Sequence, residues 1–111
     1  MEAGFQALTV VLGGQCQHSK CFATQYNSLL QQQGINVVIV DDFLNHTICD
    51  LLEVLGISEL PSIISQGVVH SGVHAFDKMT HITGNECATK GGSDIKMLAS
   101  KQVLDKMHIL V

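Results

Sequence analysis

The chain has 111 residues, 46% of them hydrophobic and 14% charged, which suits one domain around a single core and excludes both a two-domain enzyme and a disordered chain. All six basic residues are lysines, arginine is absent and the net charge is −4, so bidentate reading of phosphate or guanine is excluded and no nucleic-acid partner is expected. No apolar run approaches the ~18 to 20 residues that cross a bilayer, and no basic residue precedes Lys20, as a secretory leader would require; the expectation is a cytoplasmic protein with no membrane partner.

Ala7 to Leu12 is apolar and β-rich, and Gly13-Gly14 ends it, which predicts a buried strand. Phe22, Tyr26, Leu29, Leu30 and Gln33 then recur at helical spacing up to Gly34, predicting a helix of about four turns. Val37-Val38-Ile39-Val40 is a continuous branched run closed by Asp41-Asp42, read as a central strand covered on both faces. Ile48, Leu51, Leu52 and Leu55 mark a second helix, with Asn45 or Thr47 as its N-cap and Gly56 as its end. Pro61, the only proline, leads into Ser62-Ile63-Ile64, and a Ser65-Gln66-Gly67 turn joins that run to Val68-Val69-His70 as a β-hairpin. A short helix around Phe76 and Met79 follows, up to about His81. Thr83 to Gly92 has no period and reads as a surface loop. A last helix has Ser93 as N-cap, Asp94 in its first turn and a buried stripe of Ile95, Leu98, Ala99, Val103 and Met107.

The order β-α-β-α-β-β-α, with an extra terminal helix, predicts a single α/β domain over residues 1–111. The first two strands are parallel through a right-handed crossover, and the hairpin adds antiparallel strands to a four-stranded mixed sheet flanked by helices. Three segments carry a resemblance to the thioredoxin-like superfamily, above all to glutaredoxins and thioredoxins. They are the cysteine-containing loop after the first strand, L-P-S-I-I (Leu60 to Ile64), and S-G-V-H-A-F-D-K-M (Ser71 to Met79). The resemblance implies a cis Leu60–Pro61 bond facing the Gly13 to Cys21 loop at the edge of the sheet. It also implies that Leu60 and Pro61, with Gly72, bind substrate through the backbone of an extended peptide or of glutathione.

The chain departs from that family in two places. The loop reads C-Q-H-S-K-C, Cys16 to Cys21, in place of C-x-x-C. Aligned without gaps, a glutaredoxin frame puts His18 at the nucleophile and Cys21 at the resolving position, while a thioredoxin frame puts Cys16 one residue before the nucleophile. The acidic residues with which glutaredoxins hold the glutathione amine are His74 and Ala75 here, with Asp77 displaced, and no cofactor is expected.

A thiolate is the nucleophile in thiol exchange, and the unpaired N–H groups of a helix N-terminus stabilise negative charge placed there. Cys16 precedes such a terminus, and His18 and Lys20 add nearby cations. On this reading Cys16, exposed, attacks a protein or small-molecule disulfide, and Cys21, partly shielded in the first turn, resolves the mixed disulfide. Catalytic roles are expected for Cys16, Cys21, His18 and Lys20. Three readings of the same residues stay open: this dithiol centre; two structural thiols in a non-catalytic interaction module; and a C-x-H-x2-C metal site completed by His74 or His81. A cysteine phosphatase is excluded, because C-x5-R would need arginine where Phe22 stands.

Overall fold

The computed structural model describes residues 8–110, with side chains for residues 8–107. Ala7 and the amino-terminal residues read for a leader lie outside them.

The elements are β1 (Leu8–Gly13), α1 (Gln17–Gln25), α2 (Asn27–Leu30), β2 (Ile35–Val40), α3 (His46–Val54), β3 (Glu59–Leu60), β4 (Ser62–Ser65), β5 (Val68–Ser71), α4 (Val73–Thr83), β6 (Ser93–Asp94) and α5 (Ile95–Leu110). Four strands form a mixed sheet in the order β2-β1-β4-β5: β1 is parallel to β2 and antiparallel to β4, and β4 is antiparallel to β5. A second, two-stranded sheet pairs β3 with β6 antiparallel, Glu59 opposite Asp94 and Leu60 opposite Ser93. Among the described residues no helix is long and apolar enough to cross a membrane.

Because side chains alternate along a strand, β1 feeds two cores. Leu8, Val10 and Leu12 join Phe22 and Tyr26 near α1 and Ala75, Phe76 and Met79 of α4 in one cluster. There the Phe22 ring meets Tyr26 and Phe76 edge-on at 5.1 and 5.2 Å, an arrangement favoured by the ring quadrupoles. Val11 points into the other cluster, with Cys16, Phe43, Leu52 of α3, Leu60 and Leu98 of α5. Asn45 supplies the expected cap of α3, its Oδ1 accepting from the Ile48 N–H at 3.2 Å.

Several expectations are corrected. The predicted four-turn helix is two: α1 begins earlier, at Gln17, and breaks at Tyr26, which leaves the helical region while its hydroxyl donates to the Asn85 carbonyl at 3.1 Å. The Val37 to Val40 run lies on an edge strand, not a central one, with Val37, Val38 and Ile39 exposed. The hairpin joins the sheet beyond β1, leaving β2 outermost, and a continuous apolar run does not reveal which side is covered. Leu60–Pro61 is cis, but Pro61 enters β4, an inner strand, rather than lying at the sheet edge. Ser93 belongs to β6, and it is Asp94 Oδ1 that accepts from the Lys96 N–H at 2.7 Å. Of the stripe predicted for the last helix, Leu98 is buried and Ile95 and Ala99 pack at the rim of the core, whereas Val103 and Met107 face solvent.

Candidate functional site

Gly13 and Gly14 end β1 and turn the chain toward the start of α1, which sets Cys16 at the N-cap with extended backbone. Its Sγ accepts from the Ser19 N–H at 3.4 Å and donates to the Leu60 carbonyl at 3.5 Å. The sulfur thus takes the place usually held by a capping oxygen, satisfying one of the N–H groups a helix start leaves free. Ser19 is itself buried, and its Oγ accepts from the Gly13 N–H at 2.9 Å. Cys16, Ser19 and Gly13 therefore form one bonded unit spanning the turn and the first helical turn.

Leu60, Pro61 and Gly72 are all buried beside this unit. The Gly72 N–H donates to the Pro61 carbonyl at 2.8 Å, and Gly72 adopts φ +61°, a conformation open to glycine. The structure therefore brings the loop cysteine, Leu60, Pro61 and Gly72 together. The pairing edge at Leu60, however, is already used by Ser93 of β6. That segment continues across the loop: His18 Nδ1 lies 3.2 Å from Ser93 Oγ, and a Cβ on Gly91 would stand 2.6 Å from His18 Nε2.

The expected exposures are reversed. Cys16 is 0% exposed, whereas Cys21 is half-buried and lines an open cleft of about 300 Å³ with Lys20 and Cys87. The reason is the early start of α1, which turns Cys16 under Leu60 and puts Cys21 in the second helical turn. All four cysteines are free thiols. Residues five apart on a helix differ by about 7.5 Å along the axis and about 140° around it, which exceeds the ~7 Å Cα separation a disulfide tolerates. While α1 keeps its first turn, Cys16 and Cys21 stand apart.

Lys20 is exposed and His18 half-buried, both outside the core as expected, although the hydrogen-bond partner of His18 is Ser93 rather than Cys16. Cys49 donates to the Phe43 carbonyl at 3.1 Å and Cys87 to that of Thr89 at 3.4 Å, as structural thiols do. His74 and His81 are exposed on α4, and among the described residues no three His, Cys, Asp or Glu side chains converge as a metal site requires. Sequence reasoning missed Ser19: the Cys16-x-x-Ser19 spacing after a Gly-Gly turn is an N-cap pattern, and it is concealed because cysteine is an uncommon cap.

No family model, curated protein or solved structure matches the chain.

Proposed function

We propose that this protein is a small thiol–disulfide oxidoreductase of thioredoxin-like topology whose attacking group is Cys16. The observation that carries the reading is the capping of α1 by Cys16 Sγ: the Ser19 N–H aimed at the sulfur and the helix field behind it stabilise negative charge there. The sheet order and the helices that pack into the two clusters fed by β1 agree with that topology.

In the reaction the Cys16 thiolate attacks one sulfur of a substrate disulfide, forming a Cys16–S–S–R bond and releasing the other half as a thiolate. A second thiol then attacks the Cys16 sulfur, bonding to it and freeing the remaining half as a thiolate. Where that thiol is external, another molecule of it attacks the external sulfur of the new mixed disulfide and releases the Cys16 thiolate, so that two thiols are oxidised as one disulfide is reduced. With Cys21 five residues along α1, an external small-molecule thiol is the better-placed second thiol; Cys21 serves only if the first turn of α1 opens. Substrates are protein or small-molecule disulfides, and no cofactor is required.

The test is reduction of a mixed-disulfide peptide, with excess small-molecule thiol, by the wild type, Cys16→Ser and Cys21→Ser. Loss in Cys16→Ser with retention in Cys21→Ser is expected. Loss in both restores the dithiol mechanism. A wild type no faster than Cys16→Ser favours the non-catalytic interaction module, a reading supported by the complete burial of Cys16.

A further inference from the structure

We infer that the segment from Gly91 to Leu98 is a built-in strap that closes the Cys16 site and must lift before the thiol can react. The proposal rests on the assignment of Cys16 as the reacting group and adds its regulation.

Three observations converge on it. First, β6 fills the backbone edge of β3 next to Pro61, and the ladder extends one step further, the Ile95 N–H donating to the Ser58 carbonyl at 3.0 Å. Second, Leu98 and Ile95, which follow β6 directly, belong to or pack against the apolar cluster that contains Cys16, Phe43 and Leu60. The chain that blocks the edge thus also contributes to the apolar cluster in which the sulfur is buried. Third, Gly91 and Gly92 let the strap approach His18 of α1 and the Gly72 backbone closely. A Cβ on Gly92 would lie 2.6 Å from the Gly72 Cα, a distance real Cβ atoms essentially never show, so backbone meets backbone there beside the Glu59 side chain.

The strap is short and held unevenly, as a displaceable element should be. Its pairing to β3 covers two residues. On its amino-terminal side the chain from Asn85 to Gly92 has no helix or strand. On its carboxyl-terminal side α5 is pinned by Gln102, whose side chain accepts from the Phe43 N–H at 2.7 Å and donates to the Asp41 carbonyl at 3.0 Å. Lifting therefore releases β6 and the first turn of α5 while the Gln102 contact holds the rest of the helix in place. An extended disulfide-bearing peptide that adds as a strand to β3 takes over the pairing that β6 gives up.

The two glycines provide an internal comparison. The Cβ of Gly92→Ala meets the Gly72 backbone and can be accommodated only by moving the strap, whereas that of Gly91→Ala meets the His18 imidazole, a side chain that can swing aside. The measurement is the rate at which iodoacetamide labels Cys16, read by peptide mass mapping, in the full-length wild type and in both variants. Gly92→Ala is expected to label about tenfold or more faster than the wild type, and Gly91→Ala within about threefold of it. Equal rates in the wild type and Gly92→Ala overturn the strap. If Gly92→Ala does not fold, the wild type decides through the urea dependence of Cys16 labelling. A rate nearly flat at low urea marks local opening and supports the strap, while one that follows the full slope of global unfolding from zero urea overturns it. Labelling needs no turnover, so the two readings fail separately. Fast labelling in Gly92→Ala without disulfide exchange removes the oxidoreductase and leaves the strap; exchange with labelling indifferent to Gly92 does the reverse.

Discussion

The thiol of Cys16 and the carbonyl of Leu60 lie 3.5 Å apart, although 44 residues separate them in the chain. Their contact joins the turn after β1 to the strand before Pro61, and it explains why a loop cysteine is buried. The loop is folded under the β3–β6 sheet, and its sulfur has become part of the apolar core on that face. A thiol so placed is either an inert packing group or a reacting group kept closed, and the site is organised so that the two can be told apart by experiment.

Ser19 is the first position to probe. Its Oγ is the acceptor for the buried Gly13 N–H, and alanine would leave that N–H without a partner, at a cost of roughly 1 to 3 kcal/mol. Ser19→Ala should therefore lower the urea midpoint without changing the slope of the transition. A midpoint equal to that of the wild type would show that the turn rearranges freely.

The last helix makes a second prediction through contrast. Leu98 is 7% exposed and sits in the core, whereas Val103 is 42% exposed although both fall on the predicted apolar stripe. Leu98→Ala should destabilise by roughly 2 to 5 kcal/mol, and Val103→Ala should stay within about 0.5 kcal/mol of the wild type. Equal losses would mean that the outer half of α5 is covered in solution.

Much of this was legible in the sequence wherever local chemistry decides the outcome. Asn45 before Ile48, Leu51 and Leu52 marks the start of α3, and the hairpin through Gln66-Gly67 follows from turn residues between two apolar runs. What escaped is set by distant partners. The break at Tyr26 goes with a side chain that reaches Asn85, and the edge position of β2 depends on where the hairpin docks. β6 is two residues long, too short to show a period, and exists because Glu59 and Leu60 lie beside it. Gly91 and Gly92 read as loop residues, yet each stands where a side chain would collide with another segment. At the candidate site the cysteine was visible, but its cap partner Ser19 and its burial depended on the helix starting at Gln17.

Lys90, just before the strap, carries a pH prediction. Its Nζ lies 2.8 Å from Glu86 Oε2 and 3.1 Å from Asp77 Oδ1, and hydrogen bonds to Glu86 and then to Asp77 raise its pKa above the usual lysine value. A folded-state pKa above the unfolded one means that the contribution is fully present below the ordinary value of about 10.4. It is lost as pH rises through the raised value. The stability difference between wild type and Lys90→Met should thus be constant from about pH 7 to 9, shrink above about pH 10.4 and narrow in high salt. Urea midpoints measured from neutral to strongly alkaline pH check it; a difference that grows with pH would contradict the pairing.

The order in which the thiols react should invert what the loop sequence suggests. Alkylation requires that the reagent reach the sulfur, so accessibility sets the first event among thiols of one folded chain. Cys21 is half-buried and opens onto the cleft it shares with Lys20, while Cys16 is 0% and Cys87 6% exposed, each with a carbonyl accepting from its sulfur. Under native conditions with limiting iodoacetamide, Cys21 should therefore be modified before Cys16 and Cys87. Adding urea to beyond the unfolding midpoint should bring the three rates together. Cys21 takes no part in the β3–β6 pairing, and its native rate, compared between the wild type and Gly92→Ala, serves as the reference for the Cys16 rate. Modification of Cys16 ahead of Cys21 in the wild type would mean that the Cys16 site is already open in solution, through the strap or through the first turn of α1, and would contradict the burial of Cys16.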